Sequence, residues 1–170
     1  MLCERLTGPC RFYLDIDDKD SLTLSLKDVE HIVKIIAARL NRTEESFLIF
    51  SNETHHKHRT KPCVSFHVHS TDFHVAHNTL ILPFIKMIKR EYKDVPFMNC
   101  LDIAPYTINQ DFRMAYSAKN GMDNYKLPCR KAEREWLFLQ RVQGTILVTL
   151  PIDTTIDNIP QVTHKIKHSP

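Results

Sequence analysis

The sequence predicts an α+β fold, a mostly antiparallel sheet with helices on one face. Three observations predict it. Strand-like runs and two amphipathic stretches alternate in the order β-α-β-β-α-β-β. The 170 residues, 42% hydrophobic and 25% charged, are enough for one domain with a sizeable core. Only three glycines are present, so neither a P-loop nor a dinucleotide-binding glycine loop can be built.

The first strand is Arg11-Phe12-Tyr13-Leu14-Asp15-Ile16-Asp17, which ends in a cluster of acids. Ser25 and Asp28 form a capping-box start, and Val29, Ile32, Val33, Ile36, Ala37 and Leu40 follow helical spacing, so a helix is expected over 26–40. Phe47-Leu48-Ile49-Phe50 reads as a short buried strand, followed by a polar, His/Lys/Arg-rich loop over 51–62. Val64 to Val68 is β-rich, and a second helix is expected over about 75–93, where Pro83 either kinks it or marks its true start. Further strands are expected near Met98–Ile103, at Phe112–Ser117 and between Trp136 and Leu150. Residues 1–150 form the core in this reading, and 151–170 a Thr/Pro/Lys/His-rich irregular tail.

The net charge of +3 is mildly basic, so a nucleic-acid role needs a local patch. The ten histidines strengthen such a patch only below about pH 6.5. Five scattered cysteines without a CxxC pair, and no targeting pattern at Met1-Leu2-Cys3-Glu4-Arg5, predict free thiols in a reducing, intracellular compartment. There is no apolar run of the ~18 residues a membrane span needs.

Four constellations carry chemistry. Asp15 and Asp17 project from one face of their strand, with carboxylates about 6.5–7 Å apart along the chain. Tyr13 shares that face, while Leu14 and Ile16 point to the core. Two adjacent carboxylates repel and favour a hard divalent cation, such as Mg²⁺, that also takes substrate phosphates. Ser65, His67 and His69 likewise share one face of a strand, with Phe66 and Val68 on the other, and the bland alternative is a half-buried strand with polar residues outward. Asp102, before the Ala104-Pro105 turn, is a third candidate carboxylate. Arg113 and Lys119 could face a triphosphate, Arg as a planar fork and Lys as a point charge. The basic run 54–61 could track a nucleic-acid backbone, whereas Lys86, Lys89, Arg90 and Lys93 read as the wet face of the second helix.

In this order, Asp15-x-Asp17, Ser65-x-His67, Asp102 and then Tyr106-Thr107-x-Asn109-Gln110-x-Phe112-Arg113 with Ser117-Ala118-Lys119, the motifs resemble the catalytic core of the archaeo-eukaryotic primase superfamily. The likeness is greatest to primase-polymerases and the primase domains of large DNA viruses, and it spans residues 11–121. It implies an RRM-like palm beside a smaller α/β unit. It implies DNA primase activity, template-dependent synthesis on single-stranded DNA from NTPs or dNTPs, with a helicase or other replisome subunit as partner. Asp15, Asp17 and Asp102 would hold two Mg²⁺ or Mn²⁺ ions, about 3.5–4 Å apart. Ser65, His67, Arg113 and Lys119 would bind the nucleotide phosphates. Relatives carry a basic residue two positions before the serine; Cys63 stands there, and Lys61 is the nearest upstream cation. No Cys/His zinc module follows the core, since Cys129, His164 and His168 lack its spacing. With only ten residues before the catalytic strand, either a trimmed domain or a short protein reliant on a partner is expected.

Two other readings use the same residues. His67-Val68-His69 with Tyr116-Ser117-Ala118-Lys119 is similar to rolling-circle replication initiators, in which paired histidines bind a metal and a tyrosine attacks DNA. A catalytically inactive RRM-like nucleic-acid binder is the third; it leaves the acids without a role and lacks an aromatic-rich strand for stacking bases.

Overall fold

The computed structural model describes residues 3–52, 63–117 and 126–152. Over these the chain is α+β. Its strands are β1 (Cys3–Leu6), β2 (Cys10–Asp18), β3 (Phe47–Ser51), β4 (Val64–Val75), β5 (Gln110–Arg113), β6 (Leu127–Pro128) and β7 (Ile146–Leu147), and its helices α1 (Leu26–Arg39) and α2 (Ile81–Glu91). The main sheet runs β2-β4-β3-β6 with antiparallel neighbours, and β7 joins the far end of β4 in parallel. β1 and β5 form a separate antiparallel ribbon.

Alternation in β2 sends Phe12, Leu14 and Ile16 to the helix side. There Phe12 meets the rings of Phe47, Phe73 and Phe84 at 6.2, 5.8 and 5.8 Å, and Phe84 ties α2 to the sheet. The capping box opens α1 as expected: Ser25 Oγ accepts from Asp28 N, and Asp28 Oδ2 accepts from Ser25 N at 2.8 Å. Between Arg11 and Tyr13 the β2–β4 register shifts, which takes the carbonyls of Ser70 and Thr71 off the ladder. The buried Arg11 guanidinium donates to both, at 3.2 and 2.7 Å, so those carbonyls keep partners.

Several boundaries differ from those the sequence suggests. The second helix begins at Ile81 rather than 75, because β4 continues to Val75 and a 3-10 turn capped by His77 intervenes. Pro83 therefore sits in the first turn, where no intrahelical N–H is lost. The strand expected near 98–103 is a 3-10 turn, Met98–Cys100, after Phe97 in the left-handed region at φ 63°. Only Leu101 pairs with the sheet, through one bridge to Ile16. The expected strand at 112–117 ends at Arg113, since the chain turns at Tyr116 with φ 58°. Between Trp136 and Leu150 the strand shrinks to Ile146–Leu147, while Leu139 and Leu150 are buried in the core. Residues 153–170 of the expected tail lie outside the described residues, as do the basic run 54–61 with Lys61, and Lys119. Among the described residues no helix is long and apolar enough to cross a membrane, and all five cysteines are free thiols.

Asp18, the last residue of β2, organises the β2–α1 connection. Its carboxylate accepts from the backbone N–H groups of Asp20, Ser21, Thr23 and Leu24 at 3.2, 3.0, 2.8 and 3.1 Å, and from Ser21 Oγ at 2.8 Å. Burial acts to raise its pKa, but these donors outweigh it and hold the carboxyl at about 2. The native state thus binds this proton less tightly than the unfolded chain, and the stabilisation is present above the ordinary carboxylate value, about 4, and lost as pH falls towards 2. Asp18→Ala should cost about 2 kcal/mol at neutral pH in urea unfolding, with a difference from wild type that shrinks on acidification.

Candidate active site

The two polar triples that alternation groups by face are directly opposed in the sheet: Asp15 pairs with His67, Asp17 with Ser65 and Tyr13 with His69. The face they form is not half-buried as the bland sequence alternative has it. Ser65, His67 and His69 are buried beneath the β1–β5 ribbon and the 126–139 segment. Phe112 of β5 lies over His67 and Tyr13, with ring centroids at 4.5 and 4.6 Å.

Asp102 reaches this face through backbone pairing. Leu101 bridges Ile16, and Asp102 N donates to Asp15 O at 2.8 Å. Lys89 donates to the carbonyls of Leu101 and Asn99 at 2.5 and 3.2 Å, so it clamps this segment rather than lying on the wet face of α2; Lys86, Arg90 and Lys93 are exposed. On the other side of Asp102, Ala104 N donates to its Oδ1 at 2.9 Å. Tyr13 Oη donates to Pro105 O at 2.5 Å, Tyr106 Oη donates to Tyr13 O at 3.2 Å, and Asn78 Nδ2 donates to Thr107 O at 2.8 Å. As a result, carboxylate oxygens of Asp15, Asp17 and Asp102 lie within 4.8 Å of one another. Tyr13→Phe should keep the ring packing but free Pro105 O, costing about 1–2 kcal/mol and weakening Mn²⁺ affinity measured by calorimetry.

Electrostatically the cluster is under tension. Burial, then Asp17, push the Asp15 carboxyl above its ordinary range, against the pull of Lys126. Asp15 Oδ1 and Asp17 Oδ1 are buried and accept no hydrogen bond, although His67 Nε2 lies 3.5 Å from the former. Lys19 stands 3.6 Å from Asp17 Oδ2. Three convergent carboxylates, two with orphaned oxygens, fit a hard oxygen-seeking cation such as Mg²⁺ or Mn²⁺.

Lys126 is the residue the sequence reading missed. It is fully buried, and its Nζ donates to Ser65 Oγ at 2.5 Å. Burial lowers its pKa, opposed chiefly by Asp15, so burial drives both partners towards their neutral forms while each resists through the other's charge. No spacing marks it, because its neighbours form a two-residue strand preceded by residues outside the described set. Arg113, at the end of β5 opposite Cys3, is near enough for its charge to act on both Asp15 and Lys126. Ser65, His67, Arg113 and Lys126 therefore border the acids; Lys61 and Lys119 lie outside the described residues.

The remaining candidates stand apart from that cluster. His69 is enclosed between Phe50 and Phe112, with ring centroids at 4.5 and 6.2 Å. Its Nδ1 bonds Trp136 O at 3.1 Å, and burial depresses its pKa to about 4, so the ring is neutral. Tyr116 sits in a turn rather than on a helix, 54% exposed, with its N–H donated to Lys126 O. Among the described residues the acidic triad is the one group of three or more potential ligands that converges. In comparison with known proteins, no family model and no curated sequence matches the chain.

Proposed function

We propose that this chain is a nucleotidyltransferase of the archaeo-eukaryotic primase type, which extends strands on a single-stranded DNA template from NTPs or dNTPs. The observation that carries the reading is the convergence of Asp15, Asp17 and Asp102 within 4.8 Å, beside the buried Lys126 that donates to Ser65. Divalent ions held there would activate a 3′-hydroxyl and neutralise the departing pyrophosphate. The chain's own residues do the rest. The three carboxylates supply oxygen ligands, and Asp102 is held by the β2 backbone so that its carboxylate needs little reorganisation. Lys126 and Arg113 offset the charge of a triphosphate, and because Ser65 Oγ accepts from Lys126, its O–H is left to donate to a phosphate oxygen. His67, packed beneath Phe112 and with Nε2 3.5 Å from Asp15 Oδ1, would donate to a phosphate oxygen beside the acids.

The α+β sheet is compatible with an RRM-like palm; that palm, the helicase or replisome partner and the viral kinship all belong to this proposal. The paired-histidine alternative gains no support from His69, whose Nδ1 is engaged by Trp136 O and whose ring is enclosed. The test is strand extension by the purified chain on primed and unprimed single-stranded DNA, with Mg²⁺ or Mn²⁺ and labelled NTPs or dNTPs. Template-dependent incorporation that EDTA abolishes is expected. No incorporation with either ion and either nucleotide set overturns the reading.

A further inference from the structure

On the opposite side of the sheet from the acids lies a groove of about 740 Å³. Its position follows from alternation in β3: Phe50 pairs with His67 of the acidic face, so Phe47 and Ile49 point the other way, into the groove floor. Leu26, Glu30 and Val33, on one face of α1, form one side. Trp136 and Arg130 form the other.

The charges here are unbalanced. Among the described lining residues, Glu30, Glu44 and Glu45 are exposed at the rim, against the one guanidinium of Arg130. That guanidinium is already engaged: Arg130 donates to the carbonyls of Glu45 and Phe47 at 3.1 and 2.9 Å, and lies 5.4 Å from the Trp136 ring centroid. The lining therefore combines an apolar floor, an indole wall and three carboxylates facing solvent. A volume of this size exceeds what one side chain fills and lies in the range of ligand and peptide sites.

We propose that this groove binds a basic peptide segment of a partner protein, with one aliphatic side chain on the Phe47–Ile49 floor and Lys or Arg side chains against Glu30, Glu44 and Glu45. An acidic or purely apolar segment would leave the carboxylates unpaired or repelled, so charge complementarity selects the basic one. Because the groove and the acids are on opposite faces, the segment can be held while the acidic face stays open. The inference does not rest on the proposed nucleotidyl transfer.

The chain contains one tryptophan, and it lines the groove, so its emission reports occupancy without a label. The probes are a capped synthetic peptide of Lys, Leu and Ala, the same peptide with Glu for Lys, and spermidine. The Lys peptide should shift Trp136 emission to the blue and saturate, with affinity that weakens as salt is added. The combined variant Glu30→Gln, Glu44→Gln, Glu45→Gln should bind about tenfold more weakly, and Leu26→Ser should weaken binding while leaving the salt dependence intact. Absence of a saturable shift, equal binding of the Glu peptide, equal saturation by spermidine, or unchanged affinity in the triple variant would each overturn the proposal. None of these readouts involves strand extension, so failure here and failure of the primase reading are separable.

Discussion

Asp15→Ala and Asp17→Ala should each lower the proposed metal-dependent nucleotide addition by about 1,000-fold or more, equivalent to ~4 kcal/mol of barrier. The size follows from what the two carboxylates face. Both carry a buried oxygen without a hydrogen bond; among the described residues Lys126 and then Arg113 pull against the raised Asp15, and Lys19 lies 3.6 Å from Asp17 Oδ2. A divalent ion would satisfy both oxygens, so removing either carboxylate removes a ligand and half of the charge that β2 supplies. Stability gives an independent readout. Because the Asp15 carboxyl is held above its ordinary value, the native state binds its proton more tightly than the unfolded chain. In EDTA this contribution is fully present below the unfolded carboxylate value, about 4, and is lost as pH rises until the native carboxyl has also ionised. Asp15→Asn should therefore raise Tm in EDTA at slightly alkaline pH, whereas Mg²⁺ should stabilise the wild type and leave the variant unmoved. Full extension activity in both alanine variants would sink the metal-site reading.

Lys126→Met should lower the proposed extension by about 100-fold, ~2.7 kcal/mol, through a higher KM for the nucleotide together with a lower kcat. Methionine preserves the length and apolar stem of the side chain but leaves Ser65 Oγ without its donor and Asp15 without its strongest opposing charge. Asp15 should then hold its proton to higher pH, which weakens ion binding and shifts the alkaline-going limb of the activity profile upward. Lys126→Arg, which keeps the charge but crowds a fully buried position, should restore part of the activity if charge is what matters. Should the Met variant fold, bind Mn²⁺ and extend DNA as the wild type does, Lys126 has only a packing role.

Local physics carried much of the site. Period-2 alternation grouped Asp15 with Asp17 and Ser65 with His67, and backbone geometry alone puts such residues on one face. The capping box at Ser25 and the apolar periodicity of α1 were equally legible, since both depend on neighbours within four residues. What failed were segments whose structure depends on distant partners. The 98–103 run looks like a strand by composition, yet its role is to deliver Asp102 through one bridge to Ile16 and a clamp from Lys89. The 136–150 run looks equally β-like, but Arg11 and Glu4 capture its backbone at Leu139, and only two residues pair as a strand.

The sequence by itself determined the α+β class, the two helices, the register-compatible faces of β2 and β4, and the absence of a glycine phosphate loop. Each is a matter of short-range sterics, hydrophobic period or residue inventory. Only the tertiary structure decided that Asp102 joins Asp15 and Asp17, that Lys126 is buried against Ser65, and that an acid-rimmed groove lies on the opposite face. Those depend on long-range closure and burial: a lysine at 126 is an ordinary surface cation until a sheet 61 residues away in sequence closes around it.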